Sequence, residues 1–362
     1  MILRSVLSRW HTVLPLLALL ALAATWGSSP TGWLAALVGA LLVGGVLSAV
    51  HHAEVLAAKV GEPFGSLLLA LAVTVIEVGL ILMTMSGPKP QPTLARDTVF
   101  AAVMTTLNAI VGLSLLLNAG RGGEARFRAH GTGGMLAAVL TLATVTMVVP
   151  NFTASPGPTF SPSQLAFAAV VSLAIYLLFI ATQTSSHRDY FLPVDSAGNR
   201  VSAEEHAQPP TRRDTALSAG TLLAALVAVV GLAKVETHAL EDGLAVLGLP
   251  ASFVGVLIAL VVLAPETLAA ARASRRDRVQ TSMNLAYGSA MASIGLTIPA
   301  LAVATLVVPL ELHLGLSPLH MALLAITGVV SVLTVVPGRA VRLQAGVHLV
   351  LFAAYVFLAA TP

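Results

Sequence analysis

The stretch SLLLALAVTVIEVGLILMTM, residues 66–85, has one ionisable side chain, Glu77. A second stretch, ASFVGVLIALVVLAPETLAAA at 251–271, carries Glu266 in a related setting. Superposing the two glutamates also matches Leu68 with Leu257, Ala70 with Ala259, Leu71 with Leu260 and Val73 with Val262. Each is followed by a further echo, Arg96-Asp97-Thr98-Val99 and Arg276-Asp277-Arg278-Val279. Apolar runs of about 20 residues are long enough to cross a bilayer. An ionisable group at the bilayer centre costs ~2.5–3.5 kcal/mol on insertion scales and is read as functional by default. Two of them in matching contexts predict a duplicated membrane protein with a paired-carboxylate site.

Composition agrees. Of 362 residues, 57% are hydrophobic and 10% charged, against about 25% charged in soluble domains. The chain has no cysteine, which excludes disulfides, thiolate metal sites and cysteine nucleophiles. The pI near 9.6 does not signal nucleic acid, because no basic helix with interleaved aromatics accompanies it. The partners expected are the lipid bilayer, inorganic cations and protons.

Apolar runs predict eleven spans, near 12–27, 32–53, 66–86, 98–118, 133–150, 163–183, 215–234, 251–271, 283–308, 317–336 and 344–361. The first resembles a signal peptide, but with so many spans behind it we read it as an uncleaved helix. Gly and Pro clusters such as Ser155-Pro156-Gly157-Pro158 separate several spans. With the N-terminus in the cytoplasm, every Lys and Arg except Lys89, Arg96 and Lys234 falls on the cytoplasmic side, 16 of the 19. The positive-inside rule therefore predicts a cytoplasmic N-terminus and a periplasmic C-terminus in a bacterial inner membrane.

Glu77 then lies on the third span and Glu266 on the eighth. An odd offset makes the two copies cross the membrane in opposite directions, the plan of secondary transporters with sites near the midplane. The predicted fold is an all-α polytopic membrane protein. Its expected parts are an N-terminal helix (1–31), a five-helix repeat (32–183), a cytoplasmic connecting loop (184–214) and a second, inverted five-helix repeat (215–362).

Around the glutamates the sequence offers oxygen. Thr74 lies one turn before Glu77 on the same face. Pro265 removes a hydrogen bond to the carbonyl of Val261 and so frees backbone oxygens beside Glu266. Carboxylate, hydroxyl and carbonyl oxygens suit hard cations. The span after each glutamate is rich in small and polar residues: Thr105, Thr106 and Asn108 in one, Asn284, Gly288 and Ser289 in the other. We take Glu77, Glu266, Thr74, Asn108, Gly288 and Ser289 as candidate cation ligands. Histidines titrate near neutral pH, so His52, with Glu54 and Glu62 at the inner end of the second span, joins both glutamates as a candidate for proton coupling or gating.

These residues resemble bacterial calcium/proton antiporters of the calcium/cation exchanger superfamily, in particular ChaA-type sodium–calcium/proton antiporters. The pattern H-A-[DE]-V-L-A-x-[KR]-x-G-E-P-[FY]-G-S stands at His52–Ser66. P-E-x-L stands at Pro265–Leu268, and M-N-L-x-x-G-S at Met283–Ser289. The resemblance implies an eleven-helix antiporter whose two repeat glutamates, here Glu77 and Glu266, bind cation and proton alternately. Many members of the superfamily carry Gly-Asn a few residues before each glutamate; here those positions read Val73-Thr74 and Val262-Leu263. Losing both amides removes ligands and fits broader cation use, sodium or potassium included.

The expectation is a secondary active antiporter that exports calcium, with sodium or potassium as further cargo, in exchange for protons. It is not read as an enzyme, and no cofactor is expected. No G-x-x-x-x-G-K-[ST] loop supplies ATP energy. One alternative is a monovalent cation/proton antiporter without a calcium role. A remote one is an intramembrane hydrolase, against which stands the lack of an H-E-x-x-H motif.

Overall fold

Three helices in this chain begin where a short polar side chain satisfies free N–H groups. Ser161 and Ser317 each precede a proline and accept from the N–H of Gln164 and His320; Thr211 accepts from Asp214. A proline just inside a helix start has no N–H to satisfy, and the cap oxygen serves the next ones. After the second span the chain turns at Gly61 with φ +76°, a conformation that a Cβ would strain.

The computed structural model describes residues 10–61, 64–86, 91–186, 188–191 and 210–361. The helices are α1 (Trp10–Thr25), α2 (Gly32–Val60), α3 (Phe64–Met85), α4 (Leu94–Ala119), α5 (Ala129–Phe152) and α6 (Pro162–Thr184). Then come α7 (Arg212–Val246), α8a (Phe253–Val262), α8b (Ala264–Arg275), α9 (Val279–Ala304), α10 (Pro318–Val335) and α11 (Arg342–Ala360). Among the described residues nine of these are individually long and apolar enough to cross a membrane, and α8a with α8b passes as one broken span. The shorter apolar α1 stands outside that count, so among the described residues helices occupy all eleven predicted positions while nine, or ten with the broken pair, are long enough to span.

Three differences carry physical reasons. α2 continues past residue 53 through Val60, because Ala53–Lys59 is made of good helix formers and nothing breaks it before Gly61. α7 runs on from residue 234 to Val246, so Lys234, Glu236, His238 and Glu241 lie on a helix rather than a loop. The eighth span is interrupted at Leu263, with Pro265 in the first turn of α8b, where its missing N–H costs nothing. The loop expected at 184–214 lies largely outside the described residues.

Two compact units divide the chain: Met1–Leu94 with His206–Val262, and Ala95–Glu205 with Leu263–Pro362. Each draws on both halves of the sequence. The first unit joins α2 and α3 to α7 and α8a, which are their repeat equivalents, and adds α1. The second joins α4, α5 and α6 to α9, α10 and α11, and adds α8b.

Within the first unit α2 packs on α7, α3 and α1, and α3 packs on α7. Glycines set these approaches. A Cβ on Gly45 would meet Val229 Cγ2 at 2.9 Å, and one on Gly79 would meet Val230 Cγ2 at 2.5 Å. In lipid, close backbone approach replaces the hydrophobic drive that holds soluble bundles. Lys59 Nζ donates to the Pro210 carbonyl at 2.8 Å, tying the end of α2 to the start of α7.

In the second unit α9 is central, packing on α5, α6, α4 and α8b, while α4 also packs on α11. The pairs α4–α11 and α9–α6 are the same pair under the repeat equivalence. A two-residue antiparallel bridge, Ala125–Arg126 with Arg339–Ala340, joins the turns before α5 and α11.

Candidate functional site

Glu77 sits on the buried face of α3 at 3% exposure, with Thr74 one turn before it. The Thr74 hydroxyl donates to the Ala70 carbonyl at 2.8 Å, so its lone pairs remain for a further donor or cation. Phe64 and Phe253, the first residues of α3 and α8a, are separated by the same number of residues as Glu77 and Glu266. The repeat is thus kept in the helix starts as well as in the side chains. It departs at the position of Thr74, where the second copy has Leu263 and the helix breaks.

Glu266 is half-buried in the first turn of α8b. Free N–H groups and the helix dipole favour negative charge there, so the break places the carboxylate at a positively polarised helix end. The sequence reading attributed its setting to carbonyls freed by Pro265; the helix start at Ala264 adds donors to that picture. Glu77 belongs to the first compact unit and Glu266 to the second.

Asn108 lies in a π-helical segment of α4, Thr105–Ile110, fully buried. Such segments hold one residue more than an α-turn and recur at functional sites. The Asn108 amide nitrogen donates to Thr327 Oγ1 at 3.1 Å, and its oxygen pairs with His348 Nδ1 at 3.2 Å. Because an amide oxygen only accepts, His348 Nδ1 is the donor and Nε2 accepts from Thr334 Oγ1 at 3.1 Å. The side chain of Asn108 is therefore held by α10 and α11. α8b, the helix of Glu266, packs on the same π segment. The hydroxyl of buried Thr105 has no hydrogen-bond partner among the described residues.

Gly288 and Ser289 lie half-buried on α9; a Cβ on Gly288 would meet only Phe179, at 4.0 Å. Asn284 donates to the Phe191 carbonyl at 2.6 Å and accepts from Gln280 at 2.8 Å, which fixes the end of α9 rather than leaving the amide open. The Arg-Asp echoes take unlike positions. Asp97 is in the first turn of α4 beside Arg96 at 2.7 Å, whereas Asp277 turns with φ +60° before α9 and accepts from Asn118 at 2.9 Å.

His52 and Glu54 point apart, as residues two positions apart on a helix must. Glu54 is exposed. His52 is buried and donates through Nε2 to the His11 carbonyl at 3.0 Å, so Nδ1 accepts from Ser218 Oγ at 3.1 Å. The rings of His11, His51 and His52 lie 4.4–5.4 Å apart, centre to centre. Among the described residues no group of three or more His, Cys, Asp or Glu is arranged to hold a metal. Glu62 lies outside the described residues.

Sequence reasoning missed Glu236, buried at 4% exposure on α7. The signal was present: Leu222, Ala225, Val229, Leu232 and Glu236 repeat at helical spacing along one buried face. It was lost by ending the span at Lys234.

Residues 31–185 and 217–361, which take in α2–α6 and most of α7–α11, match the sodium/calcium exchanger protein family. The chain is 43% identical over 328 residues to the putative ionic transporter y4hA of Sinorhizobium fredii, covering 89% of this chain and 87% of that one. It is 34% identical over 347 residues to the sodium-potassium/proton antiporter ChaA of Escherichia coli, covering 95% and 94%. Among solved structures, native YfkE aligns at a TM-score of 0.70 over 98% of this chain and 99% of its own, at 16% identity. The H+/Ca2+ exchanger CAX aligns at 0.69 over 96% and 91%, also at 16% identity. These two likenesses are of fold.

Proposed function

The chain belongs to the sodium/calcium exchanger protein family, and from that premise we propose that it is a proton-coupled cation antiporter of a bacterial inner membrane. Its cargo on this reading is calcium, with sodium and potassium as further ions. Glu77 and Glu266 are the cation- and proton-binding carboxylates, assisted by oxygens from Thr74, Asn108, Gly288 and Ser289. The observation that carries the reading is their shared setting: one carboxylate buried in α3, the other at the α8 helix break, at equivalent repeat positions.

The chemistry follows from competition. A carboxylate in a membrane interior is stable either protonated or paired with a cation, and both claim the same oxygens. If the empty, ionised form rarely reorients, loading on one side with a cation and on the other with protons gives exchange. Inverted repeats supply two related arrangements between which such a site alternates. The distribution of Lys and Arg supports a cytoplasmic N-terminus and a periplasmic C-terminus.

The name of the Escherichia coli relative favours a second reading, a monovalent cation/proton antiporter without calcium. Both readings are tested in everted vesicles by following proton movement on addition of calcium, sodium or potassium. Calcium-driven proton release separates the first reading from the second. Glu77→Gln and Glu266→Gln keep side-chain size but remove the titratable charge, and each should abolish exchange of every ion in an inserted protein. Near wild-type exchange by both variants would sink the paired-carboxylate reading.

A further inference from the structure

Glu236 has no place in the site just proposed, yet its burial asks for an explanation. The carboxylate lies on the face of α7 that packs against α2, and its Oε1 is enclosed without a hydrogen-bond partner among the described residues. Opposite stands Gly39; a Cβ there would lie 3.8 Å from Oε2, an ordinary contact distance, so the carboxylate end sits against α2. Buried polar groups kept for structure are normally hydrogen-bonded. An ionised carboxylate enclosed without a partner is expensive, and a bound proton removes that charge.

Its depth is fixed by the glycine contacts. Gly79 meets Val230 and Gly45 meets Val229, which puts Glu77, two residues before Gly79, near the level of Ala228 on α7. α3 and α7 run in the same direction in the proposed topology, both toward the outer face. Glu236 is then roughly 12 Å further out than Glu77 at 1.5 Å per residue. Beyond it on α7 come Glu241, half-buried with its own Oε1 enclosed and without a partner, and Asp242, which is exposed. Acids thus succeed one another from the outer end of α7 inward, becoming progressively more buried.

We propose that Glu236 is a third proton-binding carboxylate, an outer-side loading site through which protons pass between external water and Glu77. The inference rests on the antiport reading above. In the inward step a hydronium ion gives its proton to the Glu236 carboxylate, forming one O–H bond and leaving water. That bond then breaks as the proton moves through intervening water to ionised Glu77. The other charged groups of the packed elements do not compete for this position. Lys234 is exposed and lies over the Trp26 ring at 5.5 Å, and His238 is exposed. His11 on α1 and His51, His52, Glu54 and Lys59 on α2 are at the opposite ends of their helices, and α8a has no ionisable residue.

The test uses the full chain in proteoliposomes and two rates: exchange of labelled cation against the same cation, which moves no net proton, and proton-driven cation uptake followed with an external pH dye. Gln copies the protonated acid. Glu236→Gln should keep cation self-exchange within about twofold while slowing proton-driven uptake roughly tenfold or more, with Glu236→Asp restoring much of the loss. Infrared difference spectra of the wild type on raising the external pH should lose a protonated-carboxyl band that Glu236→Gln lacks, a readout that needs no active variant. Wild-type rates of both kinds in Glu236→Gln would overturn the proposal, leaving a permanently protonated structural acid. An equal fall of both rates would also overturn it, assigning Glu236 to the cation site or to folding. Failure of the paired-carboxylate reading shows separately, as retained exchange in Glu77→Gln.

Discussion

Replacing Asn108 by alanine is the sharpest test of how the π segment of α4 is held. The bonds around it run one way: Thr334 hydroxyl to His348 Nε2, His348 Nδ1 to the Asn108 oxygen, Asn108 nitrogen to Thr327 Oγ1. Truncation takes from the His348 N–H its side-chain acceptor among fully buried neighbours and leaves it the Leu107 carbonyl. A buried hydrogen bond is worth about 0.5–1.5 kcal/mol net, and a buried donor left short of acceptors costs about 1–3 kcal/mol. Thr327 loses a donor but keeps its own contact to Met104 Sδ at 3.7 Å, so its share is small. Polar pairs within membrane proteins couple by about 0.6 kcal/mol on average and about 1.7 at most. Asn108→Ala should therefore destabilise by about 0.5–3 kcal/mol, with an Asn108–His348 coupling of about 0.6–1.7 kcal/mol. A double-mutant cycle with His348→Ala, read by equilibrium unfolding in bicelles, measures both. A coupling indistinguishable from zero would refute the argument. Cation KM adds a second readout: a residue that only holds the π segment changes stability and leaves KM alone, whereas a cation ligand raises KM.

Two further outcomes follow from the fold. Gly79→Leu should drive its side chain into Val230, at an overpacking cost of about 1–3 kcal/mol, and Val230→Ala should recover much of the lost stability and exchange in the double variant; absence of rescue would remove α3–α7 contact as the cause. Reporter fusions at Thr361 and Ser196 should signal from the periplasm and the cytoplasm respectively, and same-side signals would end the eleven-span topology.

The positions of the eleven apolar helices were legible because lipid demands long apolar runs, and that demand is written directly into composition. Their ends were not. Ala53–Lys59 and Lys234–Val246 are polar enough to look like loops, yet a helix already in progress adds such residues at little cost. The break beside Glu266 was read from Pro265, but a proline is compatible with a helix start, and the interruption fell at Leu263, which no residue type announces. The π segment at Thr105–Ile110 was invisible for a similar reason: one extra residue per turn is set by what α8b, α9, α10 and α11 press against α4. Glu77, Glu266, Thr74 and Asn108 stood out because they are polar in apolar runs. That His348 would hold Asn108 was not readable, since the two are joined only by tertiary packing.

The way each compact unit draws helices from both halves has a consequence for how the protein is made. α2 and α3 leave the ribosome long before α7, the helix on which both pack; roughly 120 residues intervene, and at about 5–20 residues per second that is roughly 6–24 s. During this interval Gly45 and Gly79 have no partner from α7, and the bilayer must hold helices whose contact faces are shaped for a neighbour not yet synthesised. The insertion machinery is therefore expected to retain the early spans, and a nascent chain stalled before Arg212 should crosslink to it through α2 or α3.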